Sequence, residues 1–270
     1  MIRLAVRARP EDGERVLAAL LELAPSGFEQ VDGEEWVEFA LYGPPGELPL
    51  LPEGEGEIAG ARVLVRGEPV PDDWEERWKR FHAPVLVGGR IYVRTPWHEP
   101  AVRPGVHEIV IDPGQAFGTG AHPTTRMCLE LLLELEDEPR GSLADLGSGS
   151  GVLAIAAAKL GFRPVIALDS DRAAVAATER NSRENAVDLE RVERFDLRAH
   201  RLLPAVRVLV ANLSPPLLMN VAENANEPRA VIASGLLDHD ADEVAAAFSP
   251  LVERRRLAMQ EWVALLLTAD

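Results

Sequence analysis

The chain has 270 residues, of which 47% are apolar and 27% charged, and its formal net charge is −16. That length can bury a substantial core in one large or two modest domains, and it holds no apolar run of roughly 18 residues, so no membrane span is expected. The acidic excess disfavours a phosphate backbone as partner and suits a cationic one. A single cysteine, Cys128, excludes an internal disulfide and a cysteine-cluster metal site. No metal is expected, and a reducing cytoplasm is the expected compartment.

Residues 1–67 read as a small α+β unit. Residues 2–7 alternate apolar and polar positions as a strand does, and residues 11–23 place Val16, Leu17, Leu20, Leu21 and Leu23 at helical spacing. Pro25 ends that helix. Residues 27–30 and 35–41 look like strands around the Asp32-Gly33 turn, and residues 61–66 like another. The stretch 43–60, rich in Pro, Gly and Glu, reads as a loop. This unit is acidic and shows no catalytic constellation. Residues 68–82 form an expected linker, with an amphipathic helix over 72–81 that carries Trp74, Trp78 and Phe81 on one face. Those aromatics suit packing better than ligand stacking. Residues 84–94 read as a hairpin turning at Gly88-Gly89.

From Ile109 the pattern alternates strand and helix, which predicts a doubly wound parallel sheet. Strands are expected at 142–146, 164–168, 191–195, 206–211 and 230–234. Helices are expected at 124–135, 152–160, 171–185, 216–223 and 238–248. Residues 254–259 and 262–268 are two consecutive strands joined by Gln260-Glu261. The expected class is therefore α/β: a Rossmann-like sheet over 83–270 that is parallel except for an antiparallel C-terminal hairpin, plus the N-terminal α+β domain.

The stretch Leu143-Ala-Asp-Leu-Gly-Ser-Gly-Ser-Gly-Val-Leu153 runs from a strand through a glycine turn into an alanine-rich helix. Glycine lets the backbone bend and lets a ligand approach it closely, and the helix start offers free N–H groups. The spacing G-x-G-x-G of Gly147, Gly149 and Gly151 differs from the dinucleotide fingerprint G-x-G-x-x-G, because Val152 stands where its third glycine would fall. Asp145 precedes the turn. A carboxylate there would repel a pyrophosphate but suits a ligand with an ammonium and a sulfonium, such as S-adenosylmethionine. Asp169 ends the next strand, 22 residues after Gly147, where an acid accepts hydrogen bonds from ribose hydroxyls. Asp171 is the better helix cap of the two. These features with the terminal hairpin point to a class I methyltransferase.

Two further stretches narrow the reading: Ile111-Asp-Pro-Gly-Gln-Ala-Phe-Gly-Thr-Gly-Ala-His-Pro-Thr-Thr125, and Val210-Ala-Asn-Leu-Ser-Pro-Pro216 at a strand end. With Asp145–Gly151 they strongly resemble the ribosomal protein L-eleven methyltransferase family (PrmA), bacterial enzymes that methylate amino groups of that large-subunit protein. The likeness spans about residues 72–270 and includes Trp74, Trp78, Pro84, the 94–97 segment, Ser234-Gly235-Leu236 and Glu261-Trp262. It implies S-adenosylmethionine as cofactor, a protein substrate free of ribosomal RNA, and substrate recognition by the N-terminal domain. It also implies cofactor contacts at Thr125, Gly147, Asp169 and Asn212. The residues agree with this. Thr125 at a helix start can meet a carboxylate. Gly147 lets the methionine portion approach. Asn212, at a strand's C-terminal end, can accept a hydrogen bond from an amine and is the expected catalytic residue. Phe117 can line the pocket or anchor the core, Asp196 can meet the adenine amine, and His122 before Pro123 reads as structural. The alternative is a related class I methyltransferase acting on another protein or on a small molecule.

Overall fold

A computed structural model describes residues 2–23, 29–33, 35–43, 48–49, 51–69, 83–100, 103–112, 120–135, 141–199 and 202–269. The expected linker helix 72–81 and Phe117 lie outside those residues. The chain divides into two compact units, Met1–Lys79 and Arg80–Asp270.

Among its described residues the first unit is a five-stranded antiparallel sheet with one α-helix. Its strands are β1 (Ile2–Ala8), β2 (Glu29–Asp32), β3 (Val37–Gly43), β4 (Gly54–Ile58) and β5 (Ala61–Pro69), in the order β2-β3-β1-β5-β4. Helix α1 (Gly13–Leu23) follows a 3-10 turn at Pro10–Asp12. Val16 and Leu20 of α1 pack on Leu4, Val6, Phe39, Leu41, Val63 and Val65, which share one sheet face. β4 overturns the expected loop. Its sequence Gly-Glu-Gly-Glu-Ile has weak strand propensity, but Ala59 (φ 49°) and Gly60 (φ 77°) make a tight reversal that lays it against β5. As an edge strand with a mostly exposed face it needs no apolar pattern. Glu38 is buried on the other face, and Arg3 and Arg7 both donate to its carboxylate. Burial alone would push that carboxyl up, yet the two guanidinium groups hold it below its ordinary value.

The second unit begins with a small sheet, β6 (Val85–Val87), β7 (Ile91–Arg94) and β8 (His107–Val110). The first two strands are the expected hairpin, and β8 joins β7 in parallel. The main sheet comprises β9 (Leu143–Leu146), β10 (Val165–Asp169), β11 (Arg191–Arg194), β12 (Val208–Asn212), β13 (Ala230–Leu237), β14 (Val252–Met259) and β15 (Trp262–Thr268). Their order is β11-β10-β9-β12-β13-β15-β14, parallel from β11 to β13. β15 enters antiparallel between β13 and β14. The helices are α2 (Pro123–Glu134), α3 (Val152–Leu160), α4 (Arg172–Glu184), α5 (Pro215–Asn224) and α6 (Asp238–Ala247).

Strands buried on both faces read as continuous apolar runs, and alternate residues feed opposite cores. Leu143, Val165, Ala167, Val208, Val210, Ile232 and Leu266 meet α2 and α3. Ala144, Leu146, Leu168, Leu209, Ala211, Val231 and Leu265 meet α5 and α6. Helix α3 is buried along its whole length except Lys159, and so it carries small alanines rather than one apolar stripe. Gly161, at φ 97°, ends it in the left-handed conformation that glycine adopts without strain.

Candidate functional site

Strand order reverses between β9 and β12, and ligands of open α/β sheets bind at that switch point, beyond the strands' carboxyl ends. A cleft of about 250 Å³ opens there. Its walls include Gly147, Gly149, Asp169, Asp196, Asn212 and Leu213. Larger hollows lie on the N-terminal unit and beside Phe248, without a glycine turn. Chemistry, not size, therefore singles out the cleft at the switch point.

The glycine turn is held from beneath. Gly147 N–H and Ser148 N–H both donate to Leu168 O, at 2.8 and 3.0 Å. Gly147 sits at φ 74°, and a Cβ there would come within 2.5 Å of Leu213 Cδ2, so the position admits only glycine. Gly149 N–H donates to Asp169 Oδ2 at 2.9 Å, and Asp171 N–H to Asp169 Oδ1 at 2.9 Å. Each Asp169 oxygen thus keeps a lone pair for a hydroxyl, in an orientation set by the backbone. Asp171 caps α4 through Ala173 N–H at 2.9 Å, the division of labour expected of the two acids. Asp196 Oδ1 accepts from Arg198 N–H at 2.9 Å on the opposite wall.

Three expected contacts are not among the described residues that line the cleft. Gly151 is the N-cap of α3, at φ 82° against Thr178, rather than part of the wall. Thr125 is buried in the first turn of α2, and its Oγ1 has no partner among the described residues. Asp145 is fully buried beneath the turn. Its Oδ2 accepts from Ala154 N–H at 3.0 Å, and its Oδ1 has no partner among the described residues. Burial pushes this carboxyl up to about 7, with Asp169 adding to the effect and the Ala154 N–H opposing it. Asp145 therefore pins the turn to α3 and is not the open carboxylate that its place in the sequence suggests. Nearby Cys128 is also fully buried, its thiol pushed up to about 12 by desolvation first and Asp145 second, which makes it unreactive.

Asn212 ends β12 on the cleft wall, and its Nδ2 donates to Thr124 Oγ1 at 3.0 Å. Thr124 Oγ1 in turn lies 2.7 Å from His122 Nδ1, the N-cap of α2. The corner after Asn212 is packed tightly. Leu213 N–H donates to Ser234 O at 2.9 Å, and a Cβ on Gly235 (φ 87°) would meet Leu213 O at 2.4 Å. Gly235 lies where the β13–β15 register shifts, so the bulge makes room for the Asn212 corner.

Sequence reasoning missed one face of α4. Thr178, Asn181 and Asn185 recur at i, i+3 and i+7, and all are buried. Thr178 Oγ1 donates to Gly149 O at 3.1 Å. Asn181 Nδ2 donates to Ser150 O at 2.8 Å, and its Oδ1 accepts from Asp112 N–H at 3.2 Å. Asn185 Oδ1 accepts from Val110 N–H at 2.8 Å, and its Nδ2 donates to Val110 O at 2.6 Å. One helix face thus joins the glycine turn to the start of the second glycine-rich loop. The available signal was a polar stripe on the face that an apolar stripe would normally fill.

Five parallel strands, an antiparallel strand inserted next to the last of them, a glycine turn after the first and an acid closing the second define a class I methyltransferase. Residues 61–270 match the family described as ribosomal protein L11 methyltransferase (PrmA). The chain is 40% identical over 183 residues to the "Ribosomal protein L11 methyltransferase" of Heliobacterium modesticaldum, covering 66% of this chain and 57% of that protein. It is 35% identical over 292 aligned positions to the protein of the same name from Bordetella bronchiseptica, covering 93% of both. A crystal structure of the ribosomal protein L11 methylase from Lactobacillus delbrueckii subsp. bulgaricus superimposes with a TM-score of 0.61 at 26% identity, over 69% of this chain and 98% of that one. The chain belongs to the ribosomal protein L11 methyltransferase family.

Proposed function

We propose that the protein transfers methyl groups from S-adenosylmethionine to amino groups of a protein, lysine side chains or the N-terminal amine, and that ribosomal protein L11 is its substrate. The observation that carries this reading is the Asn212 amide. Its nitrogen is engaged by Thr124, which leaves Oδ1 as an acceptor on a cleft wall that also bears Gly147 and Asp169. The donor set fits the cofactor. Asp169 offers lone pairs to ribose hydroxyls, Gly147 admits a close-lying chain, and the orphaned Thr125 hydroxyl at the start of α2 offers a donor to a carboxylate. Asp196 and Phe195 on the wall suit an adenine.

S-adenosylmethionine supplies a methyl group on a sulfonium, already a good leaving group. The chain's task is then positioning. Asn212 Oδ1 accepts an N–H of the incoming amine and aims its lone pair. A lysine ammonium with a pKa of about 10.4 must first lose a proton, at a cost of roughly 4–5 kcal/mol at pH 7. The apolar side chains of Leu213, Leu217 and Phe195 disfavour the charged amine and reduce that cost. The proton leaves to solvent before attack.

The N-terminal unit, whose described residues show neither a glycine turn nor an acid–amide corner, is assigned to holding the substrate protein. The acidic balance of the chain favours a substrate free of ribosomal RNA, and its single cysteine suits a reducing cytoplasm. No described helix is long and apolar enough to cross a membrane. Methyl-labelled cofactor incubated with purified ribosomal protein L11 is expected to label that protein. Calorimetric binding of the cofactor without label transfer would overturn the substrate, and heat with NAD but not with S-adenosylmethionine would overturn the reaction.

A further inference from the structure

A primary amide presents nearly the same shape with its oxygen and nitrogen exchanged. For Asn212 the exchange matters, because a flipped amide would point a donor at an amine that needs an acceptor. Hydrogen bonding must therefore choose between the two orientations. Asn212 pairs with a hydroxyl, Thr124 Oγ1 at 3.0 Å. A hydroxyl can donate as well as accept, so that contact alone decides nothing.

The decision lies one bond further on. Thr124 Oγ1 is 2.7 Å from His122 Nδ1, and Thr124 N–H also points at that nitrogen, at 3.4 Å. A backbone N–H can only donate, so Nδ1 is the acceptor and its ring proton sits on Nε2. Burial lowers the pKa of the imidazole against the opposing pull of Glu261, which keeps the ring neutral. Its edge-on contact with the Trp262 ring, centroids 5.4 Å apart, fixes the ring plane. The single Thr124 hydroxyl proton is thus committed to His122, and its oxygen is left to accept from Asn212 Nδ2. Donation runs one way, from Asn212 to Thr124 to His122.

We infer that Thr124 is a positioning residue for methyl transfer: its hydroxyl, aimed by His122, holds the Asn212 amide with nitrogen engaged and oxygen free for the acceptor amine. This rests on the reading of Asn212 given above. It also assigns the adjacent threonines different tasks, Thr125 toward the cofactor and Thr124 toward the acceptor. It gives His122 a part in the reaction beyond capping α2.

The test is steady-state kinetics with ribosomal protein L11 as acceptor, alongside calorimetric titration of S-adenosylmethionine. Thr124→Val keeps the shape and removes the hydroxyl. It is expected to lower kcat about tenfold, the size of one lost directional hydrogen bond, with the cofactor Kd changed by less than about twofold. Thr124→Ser is expected to restore kcat to within about threefold, and His122→Phe, which keeps a ring against Trp262, to lower kcat as Thr124→Val does. In an Asn212→Ala background, Thr124→Val should cost nothing more, because its partner is gone. A weakened cofactor Kd with unchanged kcat, or a Thr124→Val loss that persists in the Asn212→Ala background, would overturn the inference. The underlying reading fails differently, since Asn212→Ala itself would then leave kcat intact.

Discussion

Residues whose role rests on backbone geometry could be read from the sequence. Gly147 and Asp169 occupy the positions their spacing predicts, and both act through main-chain atoms a few residues away or on the adjacent strand. Thr124 could not be read in that way, because its partner Asn212 lies 88 residues further along the chain. Asp145 was legible as important but not in its environment, since no local pattern reports that a carboxyl is sealed under its own turn. That burial makes a prediction about pH. The folded carboxyl titrates at about 7, against 3.8 for its ordinary value. Between those two values the unfolded chain releases this proton while the folded chain keeps it. Stability therefore falls as pH rises through the window and levels off above it, by at most about 4 kcal/mol at 1.36 per unit. Asp145→Asn keeps an acceptor for Ala154 N–H and removes the titration. Urea unfolding of the two proteins should coincide near pH 4 and diverge toward pH 8, with the variant the more stable. Parallel pH profiles would show that Asp145 is ionised in the folded protein.

At the scale of elements, periodic helices and hairpins with clear turns were read well, and strands defined by their partners were read poorly. Helix α3 has the bounds its sequence predicts, because the glycine turn starts it and Gly161 stops it. β4 and β8 were missed or blurred, since each is defined by the strand it pairs with rather than by its own pattern. Helix α4 was found, but its buried side was not understood. Asn181, 2% exposed, uses both ends of its amide to join Ser150 O to Asp112 N–H. Asn181→Ala removes the bond to buried Ser150 O, at a cost of about 1–3 kcal/mol, and the bond from the N–H of exposed Asp112, which can turn to water. The loss falls on the glycine turn, so the cofactor should bind about tenfold more weakly, as well as the midpoint of thermal unfolding dropping by several degrees. Titration calorimetry and calorimetric melting read the two effects separately. A lower melting point with unchanged cofactor affinity would confine the Asn181 bridge to stability.

The whole molecule adds what neither residues nor elements carry, a net charge of −16 from 44 acidic and 28 basic side chains. Within the first unit part of that charge is neutralised internally, as where Glu38 takes up Arg3 and Arg7. The remainder acts through solvent, where a field of one sign speeds the approach of oppositely charged partners. The sequence showed this charge directly but could not say what it is for, because the same acidity would also serve solubility alone. Ionic strength separates the two uses. A lysine-bearing protein drawn in by the field should lose kcat/KM by about tenfold between 0.05 and 0.5 M salt, because screening shortens the reach of exposed charges to a few Å. In the proposed reaction the chemical step takes place inside the cleft at the switch point, against side chains held by hydrogen bonds rather than by long-range attraction. Its kcat at saturating substrate should therefore change by less than about twofold over the same range. A kcat/KM indifferent to salt would mean that the acidic surface plays no part in capturing the substrate, and that recognition rests on contacts made after encounter.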